Sequence, residues 1–110
     1  MITSNEIAFF NLQIVSNYAG GGGYQNGFIH LYDRYKRYIG HIGVIKNEKT
    51  IPENRQHTDG TLAIYYNETE SQSILETLRN KRPVLIKFNT KSKWAAIETI
   101  EEPITKEVAA

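Results

Sequence analysis

Residues 27–34 read GFIHLYDR, and their alternation decides what kind of fold this chain adopts. Ile29 and Leu31 fall on one face, and Phe28, His30, Tyr32 and Arg34 on the other. Successive side chains of a strand point to opposite sides of a sheet, so the pattern predicts a strand buried on one side only. Residues 38–46, YIGHIGVIK, read as the next strand, with Gly40 and Gly43 inside it. Glycine within a strand marks a bulge, a sharp bend or a close backbone approach, and two of them predict a strongly curved sheet.

Outward from this pair, residues 6–18, EIAFFNLQIVSNY, are rich in strand formers and predict one long strand. Leu12 and Ile14 alternate with Gln13, which suits a strand buried at one end and emerging at the other. On the other side, residues 47–60 are polar, contain Pro52 and end in Asp59-Gly60, so they form a long connection. TLAIYY (61–66) is a short strand. One α-helix is expected over about 69–81, with Thr69 and Gln72 as a capping box, Asn80 as a left-handed cap and Pro83 forbidding continuation. Ile74, Leu75 and Leu78 make its apolar face. VLIKF (84–88) and KWAAIETIEE (93–102) complete the set as two more strands. The fold class is therefore α+β, mostly β. It is expected to be a small, strongly curved antiparallel sheet, or an OB-like or SH3-like barrel, with the helix before the last two strands. Residues 1–102 make a single β-rich domain, and 103–110 a flexible tail.

With 40% hydrophobic and 23% charged residues, the 110-residue chain has enough apolar material for one core and too much for a disordered segment. It has no cysteine, which excludes disulfides and thiolate metal sites. The opening MITSNEIAFF lacks a signal-peptide pattern, and no run approaches the ~20 apolar residues of a membrane span, so a cytoplasmic protein with no membrane partner is expected. Net charge is only +1, but its distribution is uneven: residues 79–97 carry six basic side chains and no acidic one, while acidic residues dominate from Glu98 onward.

The glycine run Gly20, Gly21, Gly22 and Gly23 fails each phosphate-loop template. Gly22 and Gly27 have the P-loop spacing, but Phe28 and Ile29 stand where Lys and Ser or Thr are needed. The dinucleotide pattern would need glycine at Gln25 or Asn26. The run reads as a flexible loop beside Tyr24. Among His30, His41, His57, Asp33 and Asp59, only His30 and His41 are expected to face each other across adjacent strands, and no third ligand is evident. With no nucleophile elbow or HExxH, a non-catalytic protein without metal or cofactor is expected.

What remains is aromatic residues interleaved with basic ones. Burying Ile29 and Leu31 turns Phe28, His30, Tyr32 and Arg34 outward, and Tyr35, Lys36, Arg37 and Tyr38 follow at once. Lys91, Lys93 and Trp94 lie in and beside a later turn. Ring faces that stack on bases beside cations that neutralise phosphates are how single-stranded DNA or RNA is bound. The same tyrosine-rich surface, or an open strand edge, also suits a protein–protein interaction module, either an inhibitor or adaptor or a homo-oligomer. A third reading is a small-ligand binder with the glycine loop as lid and Tyr18 and Tyr24 as its gate.

Overall fold

A computed structural model describes residues 1–16 and 25–100. The first extended run divides between two sheets: β1 (Ile2–Ile7) belongs to one and β2 (Phe9–Ile14) to the other. Ala8 separates them. Its N–H donates to the carbonyl of Tyr32 (2.9 Å), the residue that Phe9 faces, so two residues oppose one. Such a bulge bends a strand, and here it turns the single strand expected over 6–18 into two. β3 (Gln25–Tyr32), β4 (Tyr38–Ile45), β5 (Arg55–Gln56) and β6 (Leu62–Asn67) follow. A 3₁₀ turn (Glu68–Glu70) leads into α1 (Ser71–Asn80), and β7 (Val84–Asn89) and β8 (Ala95–Thr99) end the fold.

The larger sheet has the order β2-β3-β4-β6-β5, the smaller one β1-β7-β8, and neither closes into a barrel. The mostly-β α+β class holds; closure does not, and the sheet is not wholly antiparallel. β4 and β6 run parallel, pairing Gly40 with Leu62 and Ile42 with Ile64. Parallel neighbours need a crossover of a dozen or more residues. The polar stretch between Ile45 and Leu62 supplies it, and on the way β5 pairs antiparallel with the outer edge of β6. At Gly40 (φ +149°) the parallel backbones approach closely: a β-carbon there would lie 2.2 Å from the Leu62 carbonyl oxygen. Only glycine fits that approach.

One core is fed by both sheets and the helix. Ile29 and Leu31 from β3, Ile42 and Val44 from β4, and Leu62 and Ile64 from β6 meet Val84, Ile86 and Phe88 from β7, while Ile74 and Leu78 close it from α1. The helix caps differ from expectation. Asn67, one residue before the 3₁₀ turn, accepts from the Thr69 N–H (2.9 Å), so Asn67 and not Thr69 is the capping side chain. At the other end Asn80 is still helical and Lys81 is extended (φ −113°). The Arg82 guanidinium takes over there, donating to the Leu78 carbonyl (2.6 Å). Among the described residues no helix is long and apolar enough to cross a membrane. The expected flexible tail lies outside the described residues.

Candidate functional site

Burying Ile29 and Leu31 does turn the alternate residues of β3 to the opposite face. Pairing register then carries that face across four strands. Gln13, Phe28, Gly43 and Tyr65 form one row, and Asn11, His30 and His41 the next; Phe9, Tyr32 and Tyr38 form the third.

Among the described residues, six of these rings sit in contact. Phe28 stacks on His30 (centroids 5.9 Å apart, planes at 20°) and meets His41 edge-on at 5.3 Å. Tyr38 lies 5.7 Å from His30 and 5.5 Å from Tyr32, and Tyr65 stands edge-on to His41 at 6.0 Å. Phe28, His30, Tyr32, His41 and Tyr65 are half-buried, and Tyr38 is exposed.

Amides and hydroxyls hold the rings in place. His30 Nε2 lies 2.9 Å from the Gln13 side-chain oxygen, and its Nδ1 lies 2.8 Å from the Tyr38 hydroxyl. An amide oxygen only accepts, so Nε2 donates to Gln13 and Nδ1 accepts from Tyr38. Burial, and after it the neighbouring Tyr32, raises the Tyr38 pKa and keeps the phenol a donor. Asn11 donates through Nδ2 to the Tyr32 hydroxyl (3.3 Å). His41 is held below its ordinary value of 6.5, by burial first and then by His30 and His57, which favours its neutral form.

The cations collect at the Tyr32–Tyr38 end, in the turn between β3 and β4. Asp33 builds this turn by accepting from the N–H groups of Tyr35 and Arg37 (both 2.9 Å) and from Arg37 Nε (3.0 Å). These donors, the Arg37 N–H above all, keep its carboxyl below the ordinary aspartate range. Lys36 takes a left-handed conformation (φ 65°), and its ammonium lies 5.1 Å from the Phe9 ring centre. Arg37 lies over the Tyr35 ring at 5.0 Å, and Arg34 pairs with Glu6 at 3.4 Å. A groove of about 600 Å³ opens between Phe9, Asn11, Tyr32, Lys36 and Arg82, and among the described residues no carboxylate lines it.

The remaining expected site residues lie elsewhere. Lys91, Lys93 and Trp94 occupy the β7–β8 turn of the smaller sheet, and Lys93 Nζ donates to the Thr90 carbonyl (3.1 Å). Asn54 links this turn to the larger sheet, donating to the Lys93 carbonyl (3.0 Å) and accepting from the Tyr65 N–H (2.9 Å). Among the described residues, no ring stacking, cation–π contact or side-chain hydrogen bond joins those three side chains to the ring rows. The glycine loop with Tyr18 and Tyr24, and so the lid of the small-ligand reading, lies outside the described residues. Sequence reasoning missed Phe9, Asn11, Gln13, Tyr65 and Arg82. The first three share a parity with the exposed residues of β3, a signal that becomes usable only once the register is known; Tyr65 joins through the parallel pairing.

The described residues include no cluster of three or more His, Cys, Asp or Glu side chains that could hold a metal ion. What the surface can offer is ring faces, amide hydrogen-bonding groups and, at one end, exposed cations. No protein-family model, no curated protein and no solved structure matches the chain.

Proposed function

We propose that this protein is a non-catalytic binding domain that takes single-stranded nucleic acid across the ring-bearing face of its larger sheet. The observation that carries the reading is the adjacency of Tyr32 and Tyr38 to the turn that holds Arg34, Lys36 and Arg37. A base stacked on an aromatic side chain contributes roughly 1–3 kcal/mol, and because every base has a π-face the contact tolerates sequence. Asn11, Gln13 and His30 would read or steady the base edges, as polar groups do beside stacked bases. The Arg34–Glu6 and Arg37–Asp33 pairs are at the surface, where such pairs are worth about 0–1 kcal/mol, so both guanidinium groups can turn to phosphate at little cost. Lys36 has no carboxylate partner among the described residues.

The test is the fluorescence anisotropy of a labelled single-stranded oligonucleotide, titrated with protein at two salt concentrations. With three phosphate contacts, affinity should fall roughly 20-fold between about 50 mM and about 200 mM salt. Absence of binding at the lower salt would end the proposal. Salt-insensitive binding would remove the turn cations from it.

A further inference from the structure

We infer that β2 is the seam of a homodimer, pairing antiparallel with β2 of a second copy so that the two larger sheets become one. Among the described residues, four strands lie at sheet edges: β1 and β8 in the smaller sheet, β2 and β5 in the larger. Exposed edges template pairing with another chain, and proteins blunt them with charge, brevity, proline or bulges. β1 carries Glu6, β8 carries Glu98 in an ion pair with Lys87, and β5 is two residues long and includes Arg55. β2, FFNLQI, has no charge and no proline, and its register with β3 is unbroken from Phe9 to Ile14. The bulge at Ala8 lies ahead of that stretch and leaves it regular. Three of its large apolar residues face solvent: Phe9 is 46% exposed, Leu12 42% and Ile14 78%.

The hydrogen-bonding parity fixes the geometry of the seam. The Val15 N–H donates to the Asn26 carbonyl (2.8 Å), which makes residues 15 and 26 a hydrogen-bonded pair. Residues bonded to an antiparallel neighbour alternate along the strand, so Phe9, Asn11 and Gln13 point their backbone groups at β3. The N–H and C=O groups of Phe10, Leu12 and Ile14 therefore point away from β3, to the side that no described strand covers. A two-fold axis through Leu12 sets Leu12 opposite Leu12 of the second copy and Phe10 opposite Ile14, so that these three residues satisfy one another's backbone groups. Such an interface is isologous, and an uncharged strand meets itself without repulsion. Leu12 and Ile14 of both copies then shield each other on the core-side face. On the opposite face the two ring surfaces lie side by side. None of this depends on nucleic acid, so the test is made in its absence.

Sedimentation velocity over about 1–100 μM protein should show monomer converting to dimer. Leu12→Lys places like charges directly opposite across the axis and should weaken association by about tenfold or more, with circular dichroism and melting unchanged. The chain has no cysteine, so Leu12→Cys gives a single thiol. Hydrogen-bonded antiparallel partners lie about 5.5 Å apart at Cα, within disulfide range, so this variant should oxidise to a covalent dimer. Asn5→Cys, on β1, should remain monomeric under the same conditions. A monomer at every concentration, a Leu12→Lys variant that dimerises as well as the parent, or equal cross-linking of both thiol variants would each overturn the inference.

Discussion

The two faces of β3 are built from alternate residues of one strand, yet they are organised in opposite ways. Ile29 and Leu31 are fully buried and contact other apolar side chains of the core. Phe28, His30 and Tyr32 are only half-buried, and their neighbours are other rings, amides and a hydroxyl. The inner face uses its side chains to remove apolar surface from water, the dominant favourable term in folding. The outer face holds large rings in fixed positions while leaving area uncovered, which contributes less to folding than burying them would. Fixed, partly exposed rings are ready to stack without a large ordering cost on binding.

Substitutions on one strand can break this division. Leu31→Ala, at a fully buried position, should cost about 3 kcal/mol of stability through lost transfer energy and a residual cavity. Urea unfolding measures it. At temperatures where the variant is folded, its oligonucleotide affinity should equal the parent's; a loss there would mean that the faces are coupled. Phe28→Ala is the converse test. It should cost only about 1 kcal/mol of stability, since the ring is half-buried, but should lower affinity about tenfold if a base stacks on it. Unchanged affinity would move the binding surface away from the β3–β4 centre.

Tyr38→Phe sharpens the comparison by separating ring from hydroxyl. The Tyr38 hydroxyl donates to His30 Nδ1, and losing one such bond costs about 1 kcal/mol at a partly exposed site. Affinity should hold within about twofold if stacking is the main contact, because the ring face is retained. A larger drop would mean that the hydroxyl, or the His30 orientation it maintains, takes part in recognition.

How far the sequence foretold these features follows from the range of the interactions behind them. The alternation in GFIHLYDR is local, so the facing of Phe28, His30 and Tyr32 was readable, as was the His30–His41 juxtaposition across adjacent strands. Gly40 was readable as a close backbone approach, although not that the partner would be Leu62 in a parallel strand. Apart from the helix caps, where Asn67 and Arg82 act in place of Thr69 and Asn80, the failures are long-range. Residues 6–18 carry strand propensity throughout, and the division between sheets comes from pairing with distant partners, Ile2–Ile7 with β7 and Phe9–Ile14 with β3. Tyr65 enters the ring surface through a crossover whose direction no local pattern encodes. Lys91, Lys93 and Trp94 lie in the turn that the sequence indicates, but that turn joins two strands of the smaller sheet, a placement set by strand pairing and not by any local pattern.

The smallest expected effect concerns His41, where folding and binding should respond to protons with opposite sign. The folded-state pKa of His41 lies below 6.5, because burial and the neighbouring His30 and His57 disfavour its charged form. Above that ordinary value both folded and unfolded chains are neutral at this residue, and its contribution to stability is fully present. As pH falls below 6.5 the unfolded chain takes up a proton that the folded chain resists, so stability is lost until the folded-state pKa is passed. Asp33 and Asp59, with pKa values lowered from 3.8, lose their contributions only at far lower pH, so the windows do not overlap. Urea midpoints between about pH 7.5 and about pH 5.5 should therefore decline, and His41→Phe should flatten that decline. Binding should run the other way. A proton on His41 places a cation in the middle of the ring surface, so oligonucleotide affinity should rise over the same interval and binding should be accompanied by proton uptake. If affinity and stability fall together instead, His41 senses only the fold, and phosphate does not approach the centre of the surface.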